Sequence, residues 1–413
     1  MRAQQESHQY WPALDGLRAL AFTLVLVHHT SPPDPMIRHS LEGILIRLGS
    51  WGWTGVDLFF VLSGFLISYL LLQEQGTFGT ISIKNFYARR ILRIWPVYFT
   101  LLAGCAIVPL LYHAPSKLYD PYLRNILVPY ALFFGNFIVG SCGTSITDMC
   151  NAIGFNWVFL VTLLVPLWSL CVEEQFYMVW PWVLKAIGAK RMIWSAAAGL
   201  ICLSLAARLA VYFNAVHTHQ GSELYRYNTL CHIDALMFGA VLAVAEYRYP
   251  GWAKPLVRGW RGAVVLLAVL SVWAVAVMFV PGFFARDISI VPFTTLFAAA
   301  YAALLLLALN WEPCRKFFSN AVLTSIGKVT YTMYIIHFFM IAWFGNFIPN
   351  VPDPRLNWFL HAATTFVATL CVAKVSWFVL ESRMLALRKY FNRRVARSDS
   401  AAHAQPELVA SSR

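Results

Sequence analysis

The stretch from Leu14 to His29 reads LDGLRALAFTLVLVHH, apolar enough to enter a bilayer yet carrying Asp15 and Arg18 at one end and His28 and His29 at the other. An ionisable side chain in hydrocarbon is costly unless it faces protein or a water-filled cavity, so such residues mark function in a membrane helix. Arg18 and His29 lie eleven residues apart, which at about 100° per residue brings them within about 20° of one face and about 16 Å apart along the axis. His28 leaves that face. The plain alternative is a helix whose polar ends snorkel to the two interfaces.

Outward from this helix the whole chain has the same character. Of 413 residues, 59% are hydrophobic and 12% charged, against about 25% charged in soluble domains. This is the composition of an all-α polytopic membrane protein. The net charge of +13 would suggest nucleic acid in a soluble chain, but here it fits lysine and arginine kept in cytoplasmic loops, so no nucleic-acid partner is expected. Eight cysteines fall at irregular spacing with no Cys-x-x-Cys pair, which indicates neither a metal site nor a disulfide scaffold.

Apolar runs of spanning length fall at about 13–30, 54–72, 94–112, 168–187, 192–213, 228–247, 261–281, 290–310, 325–346 and 358–380. About ten transmembrane helices are expected. Residues 122–140 and 155–166 are also apolar, but they are broken by proline and glycine or are short, and read as interfacial or re-entrant pieces of one long loop. With the N-terminus cytoplasmic, the inner loops hold fourteen Lys and Arg and the outer loops seven. That bias places both termini inside. Residues 1–12 then form a cytoplasmic segment without a cleavable signal, 13–385 the membrane-embedded domain, and 386–413 a basic tail expected to be disordered. Cys142 and Cys150 share an outer loop, as a disulfide or as two free thiols.

Sorted by side, the polar residues segregate. Arg89, Arg90 and Arg93 gather at the inner end, where spacings of three and four stack Arg93 beside both neighbours. Guanidinium forks suit phosphate oxygens, although such arginines also satisfy the inside charge bias or touch lipid phosphates. Toward the outer end lie Asp57, Glu173, Glu174, His232, Asp234 and His29, which together resemble a reaction site. Each also has a structural reading as a cap, an ion-pair member or a solvated acid. His337 shares a stripe with Thr330 and Tyr334 and reads as part of a buried polar network behind the site.

In order along the chain, Leu14-Asp15-Gly16-Leu17-Arg18-Ala19 with His29, Gly55-Val56-Asp57-Leu58-Phe59-Phe60-Val61-Leu62-Ser63-Gly64, Arg90-x-x-Arg93, Trp168-Ser169-Leu170-x-Val172-Glu173-Glu174-Gln175-Phe176-Tyr177, Asp234-Ala235-Leu236 and Tyr331-x-x-Tyr334-x-x-His337 resemble the acyltransferase family 3 membrane proteins. These are bacterial integral-membrane O-acyltransferases that modify surface polysaccharides, lipopolysaccharide, peptidoglycan and some glycosides. The chain departs from the family pattern at Glu381-Ser382-Arg383, where glutamate, any residue, then proline is usual, and it carries histidine at 232. The resemblance is to the form of the family expected without the soluble hydrolase-like domain that many relatives carry after the last helix.

The resemblance implies a protein of the bacterial cytoplasmic membrane that takes an acyl group, most often acetyl, from acyl-CoA as co-substrate. It passes the group to a hydroxyl of a glycan, lipid-linked sugar or glycoside, with membrane lipid as surroundings and no bound cofactor or metal. Arg89, Arg90 and Arg93 are then expected to hold the CoA phosphates, with Arg18 lining the pantetheine path. His29 serves as general base or transient acyl carrier, with Glu173 or Glu174 orienting it. Asp57 and Asp234 bind acceptor hydroxyls, and Asp15, Tyr334 and His337 support the site. The rival class is a secondary transporter or flippase, since acids at midplane and broken helices also describe those proteins.

Overall fold

A computed structural model describes residues 10–30, 48–111, 116–139, 163–188, 192–218, 227–279, 288, 290–345 and 351–392, and among these every regular element is helical. Ten longer helices follow the apolar runs: α1 (Pro12–Thr30), α2 (Gly55–Phe78), α3 (Ile83–Leu111), α4 (Leu167–Ile187), α5 (Met192–Thr218), α6 (Ile233–Arg248), α7 (Trp260–Phe279), α8 (Ile290–Asn310), α9 (Thr330–Gly345) and α10 (Pro354–Ser376).

Among the described residues, six helical stretches are long and apolar enough to cross a membrane: Leu48–Phe78, Ile83–Leu111, Ile193–Asn214, Trp260–Met278, Val291–Asn310 and Leu356–Phe391. The other four helices are the informative ones. Polar residues dilute α1 and α4, while α6 and α9 have 16 residues each. They carry Asp15, Arg18, His29, Glu173, Glu174, Asp234 and His337. Much of the candidate chemistry thus lies on helices that fall short of a span, while Asp57 is on α2 and Arg90 and Arg93 are on α3.

Close backbone approach holds this interior together. A Cβ on Gly64 of α2 would lie 2.0 Å from the Leu236 carbonyl oxygen of α6, and one on Gly239 of α6 would lie 2.0 Å from the Val61 carbonyl oxygen of α2. Only glycine fits on either side, so two backbones meet directly, the small-residue contact that membrane helices use in place of a hydrophobic drive. At α1, Gly16 abuts the Phe318 carbonyl, and Gly327, at the end of the short helix Ala321–Gly327, abuts the Asp15 carbonyl. Leu17, Ala21, Phe22, Val25 and Leu26 of α1 are buried in the main core.

The long loop after α3 contributes packed structure. Ser116–Tyr122, a wide turn at Leu123–Leu127 and the short helix Val128–Ala131 fold back on α3. There Tyr98, Tyr122, Tyr130, Phe133 and Cys171 form a second core. Of the second loop piece, 155–162 lies outside the described residues, as do Cys142 and Cys150. At Glu381-Ser382-Arg383 the chain continues helically through a wide turn, Trp377–Glu381, and Glu381 accepts a 2.7 Å bond from Thr332 of α9. The basic tail begins with an ordered turn, Leu387–Phe391, tied to α3 by Arg89 donating to the Phe391 carbonyl at 2.9 Å. The tail from 393 lies outside the described residues.

Candidate active site

Two cavities walled by charged side chains, each of about 90 Å³, lie along α1. One is lined by Arg18, Arg90 and Arg93 with Ser63, Glu173, Tyr177 and Tyr331; the other by His28, His29, Asp57, Arg208, His232 and His337 with Trp53, Trp168 and Tyr227. Tyr334 lines both. Its hydroxyl accepts a 2.7 Å hydrogen bond from Ser169 of α4, and Phe59 of α2 packs edge-on against its ring at 5.7 Å. Tyr334, braced by Ser169 and Phe59, is thus the wall shared by an arginine cavity and a histidine cavity, which hold Arg18 and His29 of one helix respectively.

In the arginine cavity, Arg18 donates to Asp15 at 2.6 Å, and the other Asp15 oxygen accepts from Tyr10 at 2.8 Å. Desolvation and the Asp15 carboxylate push the Tyr10 phenol up to about 12, so it remains a donor. Arg90 is buried and its Nε has no partner among the described residues. A guanidinium left unsatisfied in a cavity is a built receptor for an anion. Arg89 differs from its neighbours: it donates to Glu74 at 2.8 Å and to Phe391, and is absent from the cavity wall. The expected triplet is therefore a pair, Arg90 and Arg93, joined by Arg18. Helical spacing explains it, since 89 and 90 lie about 100° apart around α3.

Glu173 belongs to this cavity as well, accepting from Ser63 at 2.8 Å and Tyr177 at 3.1 Å. The expectation that it orients His29 is corrected: it stands across the partition. Glu174 is buried and lines neither cavity, with one oxygen unpartnered among the described residues. The supposed outer group of four acids is thus split among separate environments.

In the histidine cavity the local hydrogen bonds settle the tautomer of His29. Its Nδ1 is 2.8 Å from the Val25 carbonyl; a carbonyl only accepts, so Nδ1 bears the hydrogen and Nε2 the lone pair. The ring of His337 is 5.1 Å away and that of Phe338 4.2 Å. His232 donates from Nδ1 to Asp57 at 3.2 Å, leaving the second Asp57 oxygen without a partner among the described residues.

Asp234 is not available to an acceptor. Arg208 donates to it at 2.5 Å, Thr295 at 2.7 Å and its own helix start at 3.0 Å through Ala235 N–H. Arg208, which the sequence reading passed over, occupies the cavity wall instead. It is 1% exposed and also donates to the Cys231 carbonyl at 2.7 Å. A lone arginine midway along the apolar α5 was the available signal.

An acyltransferase domain profile of family 3 matches residues 11–377. Among curated proteins, one named "Putative O-acetyltransferase SAS0844" of Staphylococcus aureus (strain MSSA476) is 27% identical over 375 residues, covering 87% of this chain and 55% of its own length. The O-acetyltransferase OatA of Staphylococcus aureus (strain NCTC 8325 / PS 47) is 26% identical over 391 residues, covering 91% of this chain and 57% of its own. The chain thus matches little more than half the length of these relatives, and no solved structure matches it. With the profile covering most of the chain, including both cavity linings, the protein belongs to the acyltransferase family 3.

Proposed function

We propose that this chain is a ten-span O-acyltransferase of the bacterial cytoplasmic membrane, with both termini inside, that moves an acetyl or similar acyl group from cytoplasmic acyl-CoA to a sugar hydroxyl of a glycan, lipid-linked sugar or glycoside. The observation that carries this reading is the pair of cavities meeting at Tyr334, one rich in guanidinium donors and the other holding an imidazole whose lone pair is on Nε2.

In this reading Arg18, Arg90 and Arg93 grip the CoA phosphates, and the pantetheine arm runs past Tyr334 toward His29. The axial rise of about 16 Å between Arg18 and His29 is spanned by that arm. His29 Nε2 takes the proton of the acceptor hydroxyl as its oxygen attacks the thioester carbonyl. The C–S bond breaks, and the leaving thiolate receives the proton back from the imidazolium. A neutral imidazole suits this work because its ordinary pKa of about 6.5 lies near operating pH. Glu173 balances the charge among the arginines rather than supporting the imidazole.

The test is thioester turnover. Purified protein in liposomes with acetyl-CoA and a glycan acceptor should release free CoA and yield O-acetylated product, and His29→Ala should lower that rate by about 10²–10⁴-fold. Solute movement with the thioester intact would sink the proposal in favour of transport.

A further inference from the structure

His337 lies in the histidine cavity wall and is fully buried. Its Nδ1 donates to the Tyr334 carbonyl one turn back, which by the same argument as for His29 leaves the lone pair on Nε2. That Nε2 is buried and has no hydrogen-bond partner among the described residues. Orphaned polar atoms are few in native proteins and each calls for a reason. Here the reason is local: the ring centre is 5.1 Å from that of His29, and both imidazoles are fixed in the same tautomer by carbonyls of their own helices.

The rest of the cavity agrees. Arg208 donates from each of its three nitrogens, to Cys231, Thr295 and Asp234, and His232 donates from Nδ1 to Asp57. The second Asp57 oxygen joins His337 Nε2 as a further unfilled acceptor among the described residues, and the lone pair of His29 Nε2 belongs to the same cavity wall. An occupant must therefore bring several donors close together, and Trp168 and Tyr227 offer flat walls for its carbon face.

Resting on the acyl-transfer reading, we propose that His337 contacts the acceptor, its Nε2 accepting a hydrogen bond from the hydroxyl nearest the one that is acylated. His29 takes the proton of the reacting hydroxyl; His337 reads its neighbour. The site thereby selects a ring with two adjoining hydroxyls over an isolated alcohol.

The experiment uses the full chain in liposomes with acetyl-CoA and a panel of p-nitrophenyl glycosides, locating the acetylated position by mass spectrometry and NMR. A monodeoxy glycoside lacking the nearest second hydroxyl is then compared with its parent. In the wild type, which needs no substitution, the deoxy compound should raise KM about three- to ten-fold. His337→Asn keeps an amide N–H near Nδ1 but no acceptor at Nε2. It should raise KM for the parent by a similar factor with kcat little changed, and the deoxy compound should then cost nothing more. His337→Gln, whose amide oxygen reaches the place of Nε2, should recover part of the loss. An unchanged deoxy penalty in His337→Asn overturns the assignment, as does a fall in kcat alone. CoA release from none of the glycosides by the wild type would instead bring down transfer to sugars itself, and this contact with it.

Discussion

At Arg208 one side chain joins three elements: α5, the turn Thr229–Cys231 and α6, with Thr295 of α8 completing the cage. Breaking a buried ion pair by removing one member leaves an uncompensated charge and typically costs about 3–5 kcal/mol. Arg208→Met is therefore expected to lower the thermal unfolding midpoint in detergent sharply, and Asp234→Leu added to it should recover most of the loss. A second prediction separates the arginines of α3. Arg90→Gln or Arg93→Gln should raise KM for acetyl-CoA, because their guanidiniums line the cavity. Arg89→Gln should leave KM unchanged and loosen only its contact with Glu74 and the turn ending at Phe391. Steady-state kinetics with acetyl-CoA varied checks both arms. The same residues show what a sequence can carry. Arg18 and His29 were legible because eleven residues close a whole number of turns. Glu173 was misplaced because its depth can be read from a hydropathy profile, whereas its azimuth depends on which neighbour α4 packs against. Arg208 sits midway along an apolar helix, away from the inner and outer ends where the other charges gather, so a sorting by side passes over it.

At the scale of elements, apolar runs predicted where helices form, and a helix lies at each of the ten runs. Their contacts were hidden, since one glycine in a lipid-soluble helix reads like another. Gly64 and Gly239 are distinguished only by the carbonyls they meet, 2.0 Å from where each Cβ would stand. Overpacking a closed contact costs about 1–3 kcal/mol, more where backbone must move. Gly64→Val or Gly239→Val should thus broaden or lower the melting transition followed by fluorescence-detected size exclusion. Gly104→Val on α3, where nothing lies within 4 Å of the added carbon, should leave it unchanged. The loop after α3 reads as interfacial or re-entrant because Pro121, Pro129, Gly135 and Gly140 interrupt it. Its described part packs on α3 around Tyr98, whose hydroxyl donates to the Tyr130 carbonyl at 2.7 Å. Wide turns at Leu123–Leu127 and Trp377–Glu381 have no signature in residue periodicity, so a helical segment that absorbs an extra residue is invisible until it is built.

Across the whole molecule, the arrangement divides into a region that attracts anions and a region that offers bases, with the ring of Tyr334 and its bond to Ser169 between them. In an acyltransferase such a divider has a chemical consequence. A thioester that reaches His29 only when the ring moves aside is shielded from water until an acceptor is present, since closing a site prevents hydrolysis of the reactive group. The hydrolysis of acetyl-CoA without acceptor is therefore the quantity that reports on the divider. Tyr334→Phe keeps the ring against Phe59 and loses only the bond from Ser169, so acceptor-independent CoA release should rise little. Tyr334→Ala removes the ring and merges the two spaces, so that release should rise markedly while the yield of acylated product per CoA consumed falls. Ser169→Ala should behave like Tyr334→Phe, because both delete the same 2.7 Å contact. If Tyr334→Ala instead slows hydrolysis and transfer equally, the residue acts by holding α9 in place, and the two cavities owe their separation to the surrounding helices.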